Sequence, residues 1–310
     1  MITLNTDKGL ERLESWEDVL SRPGFVGDLD PRSVKLDRII GSYALFPFLP
    51  CGLSSCHTSH GKGYLVTTSD GRVTNIGKDC GRKYFEVQFE RMAKAFDRDL
   101  RSKERRETLV ALQHRIPDIE QRIAALLDGP DGARWVNREI IRLTDPMKGM
   151  SQVIVALLAG LVRRRSGVLT RSRVATEGEL EHLRATGQRI YPGDNYVEET
   201  VGQLDGISAL YRENNVRRLL VHEMANVAVV KELDVETAKE KTLRDLAKWS
   251  ESIEPNFAKA AEVIAAGRRL LTKDNLRQLV PLVSGKEDRR VLNAYLAELP
   301  AAQNGRFSTA

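Results

Sequence analysis

The chain has 310 residues, 48 of them Lys or Arg and 43 Asp or Glu, giving a net charge of +5. An ordinary apolar share with a slightly high charged share excludes a disordered chain, and three cysteines in this length exclude a disulfide-framework protein. Met1-Ile-Thr-Leu4 lacks a secretory leader pattern, and the longest apolar run, Met150 to Val162, falls short of the ~20 residues that span a bilayer. A cytoplasmic location without membrane association is expected. The mild basic excess permits a nucleic-acid partner and does not require one.

Residues 1–50 read as a helical and irregular segment, with Leu10 to Leu20 as a short amphipathic helix stopped by Arg22-Pro23-Gly24. From Cys51 the composition turns to Gly, Ser, Thr, Cys and His. Gly63 to Ser69 and Arg72 to Ile76 read as two strands, with Asp70-Gly71 as the hairpin signal between them.

After Cys80 the period becomes helical. Phe85, Phe89, Met92 and Phe96, then Leu109, Leu112, Ile116, Ile119, Ile123 and Leu126, recur at steps of three and four. This seam predicts long helices in a hairpin or coiled-coil-like arrangement, with a homodimer through residues 85–126 as one outcome. Pro117 predicts a kink or a fresh helix start. Asp128-Gly-Pro-Asp-Gly132 predicts a domain boundary. Residues 133–300 read as a helical domain, with a small hairpin within 168–200 around Tyr191-Pro192-Gly193, and 301–310 as a flexible tail. The fold class expected is mainly α, carrying one small zinc-stabilised β-hairpin within a 51–128 segment.

The strongest chemical signal is Cys51-Gly-Leu-Ser-Ser-Cys56-His57-Thr-Ser-His60, a hairpin, then Cys80-Gly81. Thiolate and imidazole donors in one polar segment suit a structural zinc ion, and a site buried in so few apolar residues needs such a staple. Cys51, Cys56 and Cys80 are the expected ligands, with His60 as the fourth and His57 as its alternative. Cys80 opens a helix, where a thiolate is favoured. The order of knuckle, hairpin and helix over residues 48–95 resembles the treble-clef type of zinc finger. The resemblance implies a structural Zn2+ and leaves open whether the partner is nucleic acid or protein.

Catalytic patterns are missing. His222-Glu223-Met-Ala-Asn226 lacks the second histidine of a zinc protease, no P-loop or nucleophile elbow is present, and the deaminase pattern is absent. Basic side chains cluster instead. Arg134, Arg138 and Arg142 share a helix face; Arg163, Arg164, Arg165, Arg171 and Arg173 follow without an acid among them; Lys78, Arg82 and Lys83 flank Cys80. The reading is a non-enzymatic zinc-containing protein that binds nucleic acid through these cations. A protein-interaction module, a regulator or inhibitor of a larger complex using its helical surfaces, is the alternative.

Overall fold

The computed structural model describes residues 1–186 and 195–301. Two compact units result: residues 1–114 with Leu233–Lys248, and Arg115–Glu232 with the chain from Trp249 onward. The division therefore falls at residue 114, inside a helix, and not at Asp128–Gly132.

The first unit is built on a five-stranded antiparallel sheet. In chain order its elements are β1 (Ile2–Thr6), β2 (Gly9–Leu13), α1 (Trp16–Leu20), β3 (Leu36–Pro50), β4 (Ser59–Thr68), β5 (Val73–Gly77) and the start of α2 (Lys78–Asp128). The spatial order is β2-β1-β3-β4-β5. The expectation of a helical, irregular residues 1–50 is corrected: Ile2 and Leu4 are buried on one sheet face, and Ile2 pairs with Tyr43 in β3. The expected helix at Leu10 to Leu20 shrinks to the five residues of α1, whose start is fixed by a reciprocal capping box between Ser15 and Asp18.

Alternation along β4 sorts the two faces. Leu65 joins Ile2, Leu4, Val19 and Tyr43 beneath α1, whereas Tyr64 and Val66 join Leu36, Ile39, Ile76, Phe89, Ala93 and Phe96 beneath α2. The expected hairpin exists as β4–β5 but sits within this larger sheet. Its loop is Ser69-Asp70-Gly71, with Thr67 opposite Val73 and Gly71 at φ 85°, a left-handed geometry that favours glycine.

Helix α2 breaks at Glu86, whose φ of 47° and ψ of −133° divide a short opening helix from the long one. Pro117 lies inside the continuous stretch, so the kink expected there is found at Glu86 instead. The seam residues Leu109, Leu112, Ile116, Ile119 and Ile123 are all buried within the one chain.

The second unit is helical, with one small hairpin. It contains the end of α2, α3 (Ala133–Thr144), α4 (Gln152–Arg164), β6 (Val168–Val174), α5 (Glu177–Ala185), β7 (Tyr196–Gln203), α6 (Val216–Lys231), the end of α7 (Glu240–Ser250), α8 (Ile253–Leu270), α9 (Lys273–Arg277) and α10 (Lys286–Glu298). Its core gathers Val136, Leu143, Ile154, Leu158, Leu220, Ile264, Leu270 and Leu292. β6 and β7 pair antiparallel from Val168–Gln203 to Val174–Tyr196, with α5 in the connection; Tyr191-Pro192-Gly193 and the tail from 302 lie outside the described residues. No helix among the described residues is long and apolar enough to cross a membrane.

Candidate metal centre

Cys51 follows the last residue of β3, Cys56 ends the turn beyond it, and Cys80 stands in the first turn of α2. The turn is held by its backbone: the Cys51 amide donates to the Thr58 carbonyl (3.0 Å), and the Cys56 amide donates to the Leu53 carbonyl (2.9 Å). Gly52 donates to the Asn75 carbonyl at 2.9 Å. A Cβ at Gly52 would lie 2.1 Å from Thr74 Oγ1, so the turn reaches β5 only because this residue has no side chain. Leu53 is fully buried in the core beneath α2 and anchors the loop.

These constraints bring the three Sγ atoms within 4.8 Å of one another, and Cys56 and Cys80 within 3.2 Å. The cluster could hold a metal ion. Donors aim at the sulfurs. The Leu53 and Gly77 amides donate to Cys51, and the Thr58 amide donates to Cys56, whose thiol donates to the Thr58 hydroxyl oxygen at 3.4 Å. Burial pushes the Cys51 thiol up, and burial with the neighbouring thiols pushes Cys80 up to about 12. Burial also opposes ionisation of Cys56, but its hydrogen bonds with Thr58 and with the adjacent thiols outweigh it and lower Cys56 to about 7. Cys56 is thus the first of the three to become a thiolate, the form that binds metal.

Neither histidine joins the group of three. His57, at φ 48°, turns its Nε2 toward Asp28 Oδ1 at 3.3 Å. His60 lies on β4 opposite Leu49 and stacks on the Tyr43 ring. Its Nδ1 and the Tyr43 hydroxyl are 2.9 Å apart, and burial lowers its pKa. Its Nε2 is buried with no hydrogen-bond partner among the described residues. An orphaned ring nitrogen is costly unless something occupies it.

The basic clusters picked from the sequence are distributed unevenly. Arg134 pairs with Asp128 (3.0 Å), Arg138 and Arg142 both hold the buried Glu139 (2.8 and 2.9 Å), and Arg142 also holds Glu298 (2.7 Å). Arg165 pairs with Glu213, Arg171 with Glu199, and Arg173 with Glu179. Arg82 bonds Glu90 at 2.7 Å. Lys83 lies over the Tyr84 ring. Lys78, Arg163 and Arg164 have no carboxylate partner among the described residues.

Sequence reasoning missed a better stripe. Arg91, Lys94, Arg98 and Arg101 step by three, four and three along α2, and all four are exposed. Among the described residues none has a carboxylate within ion-pair distance, whereas the next residue in phase, Arg105, is taken by Glu240. Phe89, Ala93 and Phe96 hold the opposite side of the same helix in the core, so the stripe faces outward. The spacing was readable; it lay hidden among the polar residues of a region read for its apolar seam.

The broken His-Glu motif has a structural role. Glu223 is buried and accepts from Trp249 Nε1 (3.0 Å) and Asn256 Nδ2 (2.7 Å), while His222 is exposed beside Asn226. No family model, curated protein or solved structure matches this chain.

Proposed function

We propose that this chain is a zinc-bearing protein without catalytic chemistry that binds nucleic acid through the outer face of α2. The observation that carries the reading is the unpaired stripe Arg91, Lys94, Arg98 and Arg101. At ~1.5 Å per residue its ends stand ~15 Å apart, the length of a few phosphate steps. Four cations without carboxylate partners among the described residues, in one row, carry a standing cost of mutual repulsion, which a polyanion relieves.

The metal is zinc, held by Cys51, Cys56, Cys80 and His60 in a treble-clef-like arrangement. Thiolates ~2.3 Å from a tetrahedral zinc stand ~3.8 Å apart. The Cys56 and Cys80 sulfurs are 3.2 Å apart and all three sulfurs lie within 4.8 Å of one another, close to that edge. His60 is the fourth ligand because its Nε2 is buried and unpartnered, with Tyr43 on the other ring nitrogen as an orienting contact. His57 is engaged by Asp28. The zinc fixes the knuckle against the start of α2.

Two measurements test this. Elemental analysis of the purified chain should give one zinc, lost in Cys80→Ser and in His60→Ala and kept in His57→Ala. Fluorescence anisotropy at low salt should register binding of short DNA or RNA; no affinity for either would end the nucleic-acid reading.

A protein-interaction role has one specific observation in its favour. In the second unit, Ile123, Ala124 and Leu127 of α2 and Met224, Val227 and Ala228 of α6 line an open groove. A nuclease-insensitive, stoichiometric protein partner whose recovery Met224→Glu abolishes would favour that role.

A further inference from the structure

The end of the sheet beside the cysteine turn carries a second unusual surface. Between the pairs Ala44–Lys62 and Leu49–His60, four residues of β3 stand against Gly61 alone. The bulge pushes Phe46 and Phe48 outward, 90% and 60% exposed. Their rings form an edge-to-face pair with centroids 6.2 Å apart. Phe48 lies flat enough against Gly61 that a Cβ there would sit 2.7 Å from its ring. The glycine therefore seats the ring and limits its freedom. Large apolar side chains held in water by a built feature of the backbone mark a contact surface.

A lysine stands at the edge of the same bulge: Lys62 pairs there with Ala44. Gly63 pairs with Gly77, the last residue of β5, and Lys78 follows it at the start of α2. Both lysines are exposed and have no carboxylate partner among the described residues. The nearest acid in sequence, Asp79, faces Arg82 at 3.8 Å.

We infer that Phe46 and Phe48 form a base-stacking platform for single-stranded nucleic acid, with Lys62 and Lys78 meeting the flanking phosphates. The inference rests on the nucleic-acid reading above and narrows it to the class of strand. Aromatic rings next to cations recognise unpaired bases because each free base offers a π-face, whereas duplex bases are already stacked on one another. Two rings with polar Ser59 and Lys62 close by in sequence and register make too small an apolar patch to seat in a bilayer, yet they match the area of about two bases.

The experiment uses the full, metal-loaded chain with a fluorescent 20-nucleotide oligo(dT) and a 20-base-pair duplex, in the wild type, Phe46→Ala, F46A/F48A and F46Y/F48Y. The double alanine variant should weaken oligo(dT) binding by about tenfold or more, since each lost stack costs roughly five- to a hundredfold. Duplex affinity should stay within about twofold. The tyrosine variant should keep the single-strand affinity, and Phe46→Ala, altering a nearly fully exposed ring, should show part of the loss without unfolding. Unchanged oligo(dT) affinity in F46A/F48A, or a parallel loss on both probes, overturns the stacking platform and leaves the function proposal intact if R91Q/K94Q/R98Q/R101Q still loses binding. Failure of the wild type to bind either probe overturns both. Phe-dependent binding to phosphatidylserine vesicles, with no Phe dependence on oligo(dT), overturns the inference in favour of a lipid surface.

Discussion

Replacing Arg91, Lys94, Arg98 and Arg101 together by Gln tests whether the α2 stripe meets phosphates. The four side chains are exposed and unpaired by carboxylates among the described residues, so the substitution removes four charges without breaking an internal ion pair. Each phosphate neutralised releases condensed counterions, so log Kobs falls against log salt with a slope of about −0.9 per contact on duplex DNA and about −0.7 on single strands. Four contacts therefore contribute a slope of about −3.6 on duplex and about −2.8 on single strands. Between 50 and 200 mM salt that amounts to an extra loss of about 150-fold and about 50-fold in the wild type. Anisotropy titrations across that range in the quadruple variant should show the slope flattened by these amounts. The control is R134Q/R138Q/R142Q, whose cations are already held by Asp128, Glu139 and Glu298. An unchanged slope in the α2 variant, or a larger change in the control, would refute the assignment of the stripe.

Two further outcomes concern stability. Phe89 is 1% exposed and packs edge-to-face on Tyr64, so Phe89→Ala should cost about 3–5 kcal/mol in urea unfolding; a loss below about 1 kcal/mol would mean that α2 does not rely on that core. Glu179 is held down to about 2, against an ordinary 4.5, by the Arg173 guanidinium and then by the Thr176 amide and hydroxyl at the start of α5. A depressed folded-state pKa stabilises above the unfolded value, so this contribution is complete above pH 4.5 and disappears as pH falls toward 2. Glu179→Gln should shrink the loss of stability across that window, and an identical acid profile in the variant would sink the argument.

How much of this was legible depends on the range of the interactions. The cysteine cluster was visible because its members fall in one short polar segment, and the turn at Asp70-Gly71 was visible because its signal is local. The strands of residues 1–50 were not. β1 and β2 have five residues each, β1 is completed by pairing with Tyr43, Ser42 and Gly41, and the alternation of β3 is scrambled by register shifts after Leu36, Ile39 and Ala44. Glu86 carries no mark of a helix break, since glutamate is a good helix former. Two arginines of the second unit read as free because a partner is remote in sequence: Glu213 is 48 residues from Arg165, and Glu298 is 156 from Arg142. A stripe becomes informative only once such partners are known. By that measure residues 91–101 stand out and residues 134–142 do not.

The proposed metal and the two proposed nucleic-acid surfaces should also separate under chelation. The opening stretch of α2, from Lys78 to the break at Glu86, is about two turns long, too short to hold helix alone in water. It is fixed by Cys80 in the cluster and by Gly81, where a Cβ would lie 2.3 Å from the Phe89 ring. Lys78 belongs to that stretch, and Phe46 and Phe48 lead directly into Cys51. The stripe at 91–101 lies beyond the break and is held from behind by Phe89, Ala93 and Phe96, which need no metal. Removing zinc should therefore loosen the aromatic end and spare the stripe. Chelated protein is expected to keep its salt slope on duplex DNA and to lose its preference for oligo(dT), with readdition of zinc restoring it. Collapse of the duplex slope on chelation would mean that the metal holds the whole first unit. Retention of the single-strand preference would mean that the knuckle does not position Phe46 and Phe48.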